Sequence, residues 1–216
     1  MALENNKRIA KNTILLYMRM LVLMLISLYT SRVILRTLGV EDYGIYNVVG
    51  GVIAMFSILS RSISSAISRF ITFELGREDF DKLKKIFSTS VTIQIGIAIV
   101  IFILTESIGV WFLNTHLNIS PERLVAANWV LQCSIATFII DLISIPYNAA
   151  IIAHEDMKAF AYISLFEATA KLIVVLVLQS VLFDKLIVYS LLLLFVSFLV
   201  RITYGIYCKR YFQECR

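Results

Sequence analysis

Three cations and two carboxylates stand where the surrounding sequence is otherwise oily. Arg19, Arg61 and Lys171 interrupt long apolar runs, as do Asp141 and Glu167. A charge near the middle of a bilayer span costs about 2.5–3.5 kcal/mol on insertion scales, so each must face a partner charge, a neighbouring helix or a polar cavity instead of lipid. Glu167 and Lys171 stand at i and i+4 in the favoured order for an intrahelical pair, with Ser164 on the same face. Either the two neutralise each other or Lys171 presents its charge to a cavity. It lies roughly 18 Å along its helix, too deep to snorkel readily, and is the strongest single candidate for a functional cation. Arg19 is only about 10 Å from its helix start and Arg61 lies in the last third of its span, so snorkelling competes there. Arg201, under two turns from a basic helix end, reads as an interface anchor.

Uncharged polar residues extend these positions into faces. A 3.6-residue step from Asn47 passes Gly50, Ala54, Ser57, Arg61 and Ser65, opposite a stripe of Val49, Val52, Phe56, Leu59 and Ile63. Small residues also make close helix seams, so this face is either a seam or one wall of a polar cavity. Asn12, Arg19 and Thr30 share a face of the preceding span. Ser134, Thr137, Asp141 and Asn148 align further on, beside Pro146, which is expected to kink its helix and free backbone carbonyls. No phosphate loop, metalloprotease motif or nucleophile elbow is present, so no enzymatic activity is expected.

The elements that must hold these residues follow from composition. Of 216 residues, 59% are hydrophobic and 16% charged, and the mean hydropathy is +0.84, values that describe an all-α polytopic membrane protein. Windows of about 19 residues place six spans, near 12–35, 43–69, 87–104, 124–152, 160–182 and 186–207, in one membrane domain, with 70–86 as a cytoplasmic connecting segment. Continuously apolar runs exclude a barrel. Placing the N-terminus in the cytoplasm puts eleven Lys and Arg inside and only Arg36, Arg123 and Lys185 outside, so both termini are expected to be cytoplasmic. That sorting accounts for the net charge of +5 without nucleic acid. The first span is too long for a signal-peptide core and is read as uncleaved. Cys133, Cys208 and Cys215 predict neither a disulfide framework nor zinc, and His116 and His154 have no second ligand at helical spacing. No metal and no resident cofactor are expected.

The segment SRVILRTLGVEDYGIYNVVGG, residues 31–51, reads as a tight helical hairpin. Gly39 releases the first helix, Val40-Glu41-Asp42 turns, and Tyr43 starts the next; Gly39 and Gly44 are expected to be needed for reversal and close packing. LGVEDYGIYNVVGG also resembles the L-G-x-x-x-Y-G-x-Y motif joining the first two helices of polysaccharide (O-antigen, Wzx-type) flippases, in the multidrug/oligosaccharidyl-lipid/polysaccharide exporter superfamily. ITFELGREDFDKLKKIFSTS resembles that family's connection between helices two and three. SIPYNAAIIAHEDMKAFAYISLFEATAKLIVV resembles its Pro-containing fourth helix, short loop and lysine-bearing fifth helix.

The resemblance implies two six-helix lobes that rock about a central cavity and carry undecaprenyl-pyrophosphate-linked oligosaccharide across a bacterial inner membrane. This chain corresponds to the first lobe, so a truncated first half is expected, with a missing second lobe or a second copy as partner. Arg19, Arg61 and Lys171 would then neutralise a lipid-linked diphosphate. Asn47, Ser57, Ser65, Ser134, Thr137 and Asn148 would meet sugar hydroxyls, and Asp141 and Glu167 would couple movement to H+ or Na+. Two alternatives stay open: a drug/cation antiporter of the same superfamily, with a more acidic and aromatic cavity, or a membrane scaffold or enzyme subunit that transports nothing.

Overall fold

The computed structural model describes residues 2–215, except the side chains of 2–11, 52, 54, 58, 59 and 61. Its described residues are mostly helical, with no strand: α1 Ala2–Ala54, α2 Ser57–Gly76, α3 Phe80–Leu104, α4 Val110–Thr115, α5 Leu124–Ala153, α6 Met157–Leu178 and α7 Lys185–Tyr211. A π-helical turn, Thr105–Gly109, joins α3 to α4, and a 3₁₀ turn, Gln213–Cys215, follows α7. Short acidic residues start three of the helices. Asp79 accepts from the Lys82 amide at 3.1 Å, Asp156 from Ala159 at 3.1 Å and Asp184 from Leu186 at 3.0 Å, each satisfying a backbone donor that the first turn cannot.

Helix α1 is two arms joined at Gly39, whose φ of 81° and ψ of 174° fall in a region essentially restricted to glycine. The arm before Gly39 lies along α6, with Arg19 over Phe160 and Thr30 beside Lys171. The arm after it follows α5, with Asp42 on Arg123 and Phe56 against Phe138. Because α5 and α6 run in opposite directions from the turn at 154–156, the two arms do so too, and the chain reverses at Gly39. Gly44 has a different status: no atom lies within 4 Å of where its Cβ would stand, so the close packing expected of it is absent.

Among the described residues, five helical stretches are long and apolar enough to cross a bilayer: Asn12–Gly51, Phe80–Thr115, Leu124–Ala153, Met157–Leu178 and Lys185–Tyr211. That is one fewer than the six expected. The first stretch runs through the Gly39 break and takes in the start of the expected second span. The rest of that span breaks at Met55 and Phe56 and resumes as α2, which carries Arg61, Arg69 and Glu74. The connecting segment expected at 70–86 is also mostly helix, leaving only 77–79 outside α2 and α3, since an α-helix satisfies its own backbone in water as well as in lipid.

Helix α5 is the hub, packing against α1, α2, α3, α6 and α7. At its start, Ile45 and Val49 of α1 meet Ala127, Val130 and Leu131; towards its end, Ile151 packs with Ile71, Val175 and Cys208. Much of the remaining apolar surface faces outward, including Tyr17, Met20, Leu25, Ile99, Trp129 and Phe195, as expected where lipid is the solvent. The chain is an all-α, multi-pass membrane protein.

Candidate functional site

Helix α6 sets Glu167 and Lys171 one turn apart, and they close an ion pair of 2.5 Å between Oε1 and Nζ. The pair lines a cavity of about 380 Å³ between α6 and the first arm of α1, together with Ser27, Thr30, Ser31 and Ser164. Thr30 Oγ1 is buried there without a hydrogen-bond partner. A second cavity of about 200 Å³ lies between the later arm of α1, α5 and α7, where Tyr46, Gly50, Ser134, Thr137, Asp141 and Ser190 meet. Asp141 lies within electrostatic reach of both Glu167 and Lys171. Tyr46, ring-on-edge to Tyr189 at 5.0 Å, is within reach of Lys171 as well. The two cavities therefore share one cluster of two carboxylates and one ammonium. It can exchange a proton or a small cation, and its ammonium is already occupied.

The other residues singled out from the sequence scatter. Arg19 lies towards the end of the bundle that holds the chain termini, its guanidinium 4.1 Å above the Phe160 ring, with Nε and Nη1 buried and unpartnered. The Arg61 side chain lies outside the described residues. Asn47 is exposed and donates to its own helix at Tyr43 O, 2.8 Å away. Ser57 opens α2 after the break, and Ser65 is exposed further along it. None of these three lines the two cavities described. Asn148 is half-buried past Pro146, with Oδ1 unpartnered. Among the described residues, no three His, Cys, Asp or Glu side chains gather as metal ligands.

Several contributors escaped the sequence reading. Ser190, Ser197 and Tyr204 are all buried on α7, and their seven-residue spacing was the available signal, two turns per step. At the hairpin end, Arg123 bridges Asp42 and Asp184, each at 2.6 Å, tying α1, α5 and α7 together. At the other end, His154 meets Glu214 at 2.6 Å and stacks on Phe212 with ring centroids 4.1 Å apart, while the Tyr207 hydroxyl donates to Asp156. Burial alone would raise the Glu214 carboxyl, but its hydrogen bonds to His154 and to backbone hold it below the usual glutamate range. The Cys215 thiol moves the opposite way, raised by its hydrogen bond to Cys208 and by burial. The partners in each contact are dozens of residues apart except on α7, so spacing could not reveal them.

The comparisons agree with this architecture at one level. No curated protein matches the chain, and no solved structure does. The family model described as polysaccharide biosynthesis protein matches residues 9–215, which takes in both cavities and both end clusters. A multi-pass helical bundle with polar, charge-bearing intramembrane cavities thus has a place among known proteins: the chain belongs to the polysaccharide biosynthesis protein family.

Proposed function

We propose that the chain is one lobe of a transporter that moves an undecaprenyl-pyrophosphate-linked oligosaccharide from the inner to the outer leaflet of a bacterial cytoplasmic membrane. Both termini are cytoplasmic in this reading, and the partner is a second lobe or a second copy. The observation that carries it is the Glu167 and Lys171 pair on the cavity between α1 and α6, with Asp141, on the neighbouring cavity, within electrostatic reach of both. With both carboxylates ionised, Lys171 stays on Glu167. Uptake of H+ or Na+ by the carboxylates loosens that pair and frees the ammonium for a phosphate oxygen, while Ser and Thr hydroxyls in the cavities meet sugar. Ion uptake and anion binding are then two states of one pair, which is what coupling requires.

The test is export of lipid-linked glycan in cells that supply the second lobe. Lys171→Ala should abolish export, and Lys171→Arg should keep part of it, since charge is preserved although shape is not. A Glu167→Ala, Lys171→Ala double variant that exports like the parent would reduce the pair to helix neutralisation and overturn the reading. One observation favours a second reading, a drug/cation antiporter: the smaller cavity is acidic and aromatic, with Asp141 and Tyr46 on its wall. Export of a lipophilic cation that depends on Asp141, with no effect on glycan, would select it.

A further inference from the structure

The outer face of α2 carries a stripe that the transport reading does not use. Arg69, Phe73 and Arg77 follow at four-residue steps, so they stand one above another, with Phe70 beside them. Arg77, the residue that caps α2, keeps helical backbone angles and so continues the stripe. The two rings are 61% and 59% exposed. With Ala66 and Arg69 they line an open groove of about 450 Å³, larger than either cavity described above. The opposite face of α2 is committed to the core, where Ile67 and Ile71 join the cluster that holds Phe87 and Ile151. Arg19 and Arg201, by contrast, are seated on rings contributed by other helices, Phe160 at 4.1 Å and Tyr147 at 3.9 Å.

The cations of the stripe are available. Among the described residues Arg69 enters no ion pair. Arg77 lies over the Phe73 ring at 5.5 Å, which attracts the guanidinium without neutralising it. The nearby Asp79 is already taken, by the Lys82 ammonium at 3.0 Å and by the Lys82 amide. Depth is defined as well. Helix α2 starts beside the middle of α5, where Phe56 meets Phe138, and ends beside its last turn, where Ile71 packs with Ile151. Arg69 and Arg77 are eight residues apart, about 12 Å along the axis, whereas the headgroup layer of one leaflet is about 5–8 Å thick. The two guanidiniums therefore bracket the level of the phosphates. Helical side chains lean towards the N-terminus, here the bilayer interior, so Phe70 and Phe73 reach towards acyl chains.

A ligand that satisfies this stripe needs an apolar tail for the rings, a phosphate that guanidiniums can grip with paired hydrogen bonds, and no positive group of its own. Free phosphate lacks the first and a zwitterionic phospholipid fails the last. We infer that the Arg69, Phe73 and Arg77 stripe is a binding site for a phospholipid with an anionic headgroup, at the membrane surface beside the 77–79 turn. The lipid is a resident of the bilayer and not cargo, so the inference goes beyond the transport reading and does not depend on it. Its effect is mechanical: it fixes the far end of a helix that the break at Met55 and Phe56 separates from α1.

The purified full chain in a non-ionic detergent is titrated with dioctanoyl phosphatidylglycerol and with dioctanoyl phosphatidylcholine, and bound lipid is counted by native mass spectrometry. Thermal unfolding without lipid confirms that each variant is folded. The parent should prefer phosphatidylglycerol by about tenfold or more. Arg69→Gln and Arg77→Gln should each weaken that binding about fivefold, the scale of one cation beside anionic lipid, and leave phosphatidylcholine unchanged. Arg69→Lys should recover most of the loss, and Phe73→Ala should weaken both lipids alike. Lys84 and Lys85 are exposed cations on the same side of the membrane but off the stripe, and changing both to Gln should alter binding less than about twofold. A parent that does not distinguish the two lipids, arginine variants that bind like the parent, or a lysine double variant as damaged as Arg69→Gln overturns the site. Inorganic phosphate that displaces phosphatidylglycerol at equal concentration overturns its assignment to a lipid.

Discussion

Removing Arg123 should loosen the hairpin end of the bundle more than any other single surface change. Its two arms are unequal: one meets Asp42, whose residue is 4% exposed, and the other meets Asp184, whose side chain is 32% exposed. Stranding a buried carboxylate costs about 3–5 kcal/mol, and the lower end applies here because the Arg123 side chain is itself 34% exposed. The Asp184 arm adds only about 0.5 kcal/mol, as an exposed pair does. A total of about 3.5 kcal/mol corresponds to a fall in unfolding midpoint of roughly 7–14 °C for a chain of this size. Cys133, Cys208 and Cys215 are buried free thiols, so a thiol-reactive dye in detergent reports unfolding directly. Arg123→Ala should show the full fall, while Asp184→Asn should cost only about 1–4 °C, since Asn can still cap α7. Combining Asp42→Asn with Arg123→Gln should recover much of the loss, because no charge is then stranded. A fall of under about 2 °C for Arg123→Ala, or equal losses for Arg123→Ala and Asp184→Asn, would refute the assignment of the cost to buried Asp42.

Gly39→Ala should destabilise by about 1–3 kcal/mol through its left-handed backbone, whereas Gly44→Ala, with open space at its Cβ, should be neutral or gain up to about 1 kcal/mol; protease resistance of the membrane-inserted variants compares the two. In a cysteine-free background, single cysteines at Phe80 and Lys158 should react with an impermeant maleimide from the cytoplasm and one at Asn118 from outside, and the opposite pattern would invert the topology. Because the Glu214 carboxyl is held low, its contact with His154 adds stability that is fully present above the ordinary glutamate value of 4.5 and is lost as pH falls through the lower folded value. Reaction of Cys215 with a dipyridyl disulfide, which modifies thiols even in acid, should therefore speed up in Glu214→Gln at neutral pH, and in the parent only under acid; an unchanged rate in the variant would show that Glu214 does not hold the segment down.

What could be read from the chain was what depends on neighbours in sequence. The fourth, fifth and sixth expected spans lie within a few residues of α5, α6 and α7, and Gly39 was identified as the release point, because apolar run length and a glycine before an acidic turn are local signals. The break at Met55 and Phe56 was invisible, since neither residue is a breaker and the amphipathic pattern continues across it. The same limit governed the site. The Glu167 and Lys171 pair follows from helical spacing, and Ser134, Thr137 and Asp141 share a face for the same reason. That Asp141 joins them from another helix, that Arg201 finds a ring on α5, and that Arg123 has two acids waiting for it are consequences of tertiary packing between residues far apart in sequence.

The pairing of the first arm of α1 with α6 also has a bearing on how the protein is made. None of the most apolar window of Asn12–Gly51 is buried, and the partner helix leaves the ribosome more than a hundred residues later. At synthesis rates of about 5–20 residues per second, the arm waits on the order of 10 s before α6 exists to receive it. Throughout that interval Arg19 has no Phe160 and Thr30 has no shared cavity. The nascent arm is therefore a natural client for an insertase or a neighbouring nascent helix, and it should be the segment most exposed to quality-control proteolysis whenever translation stalls before Lys171.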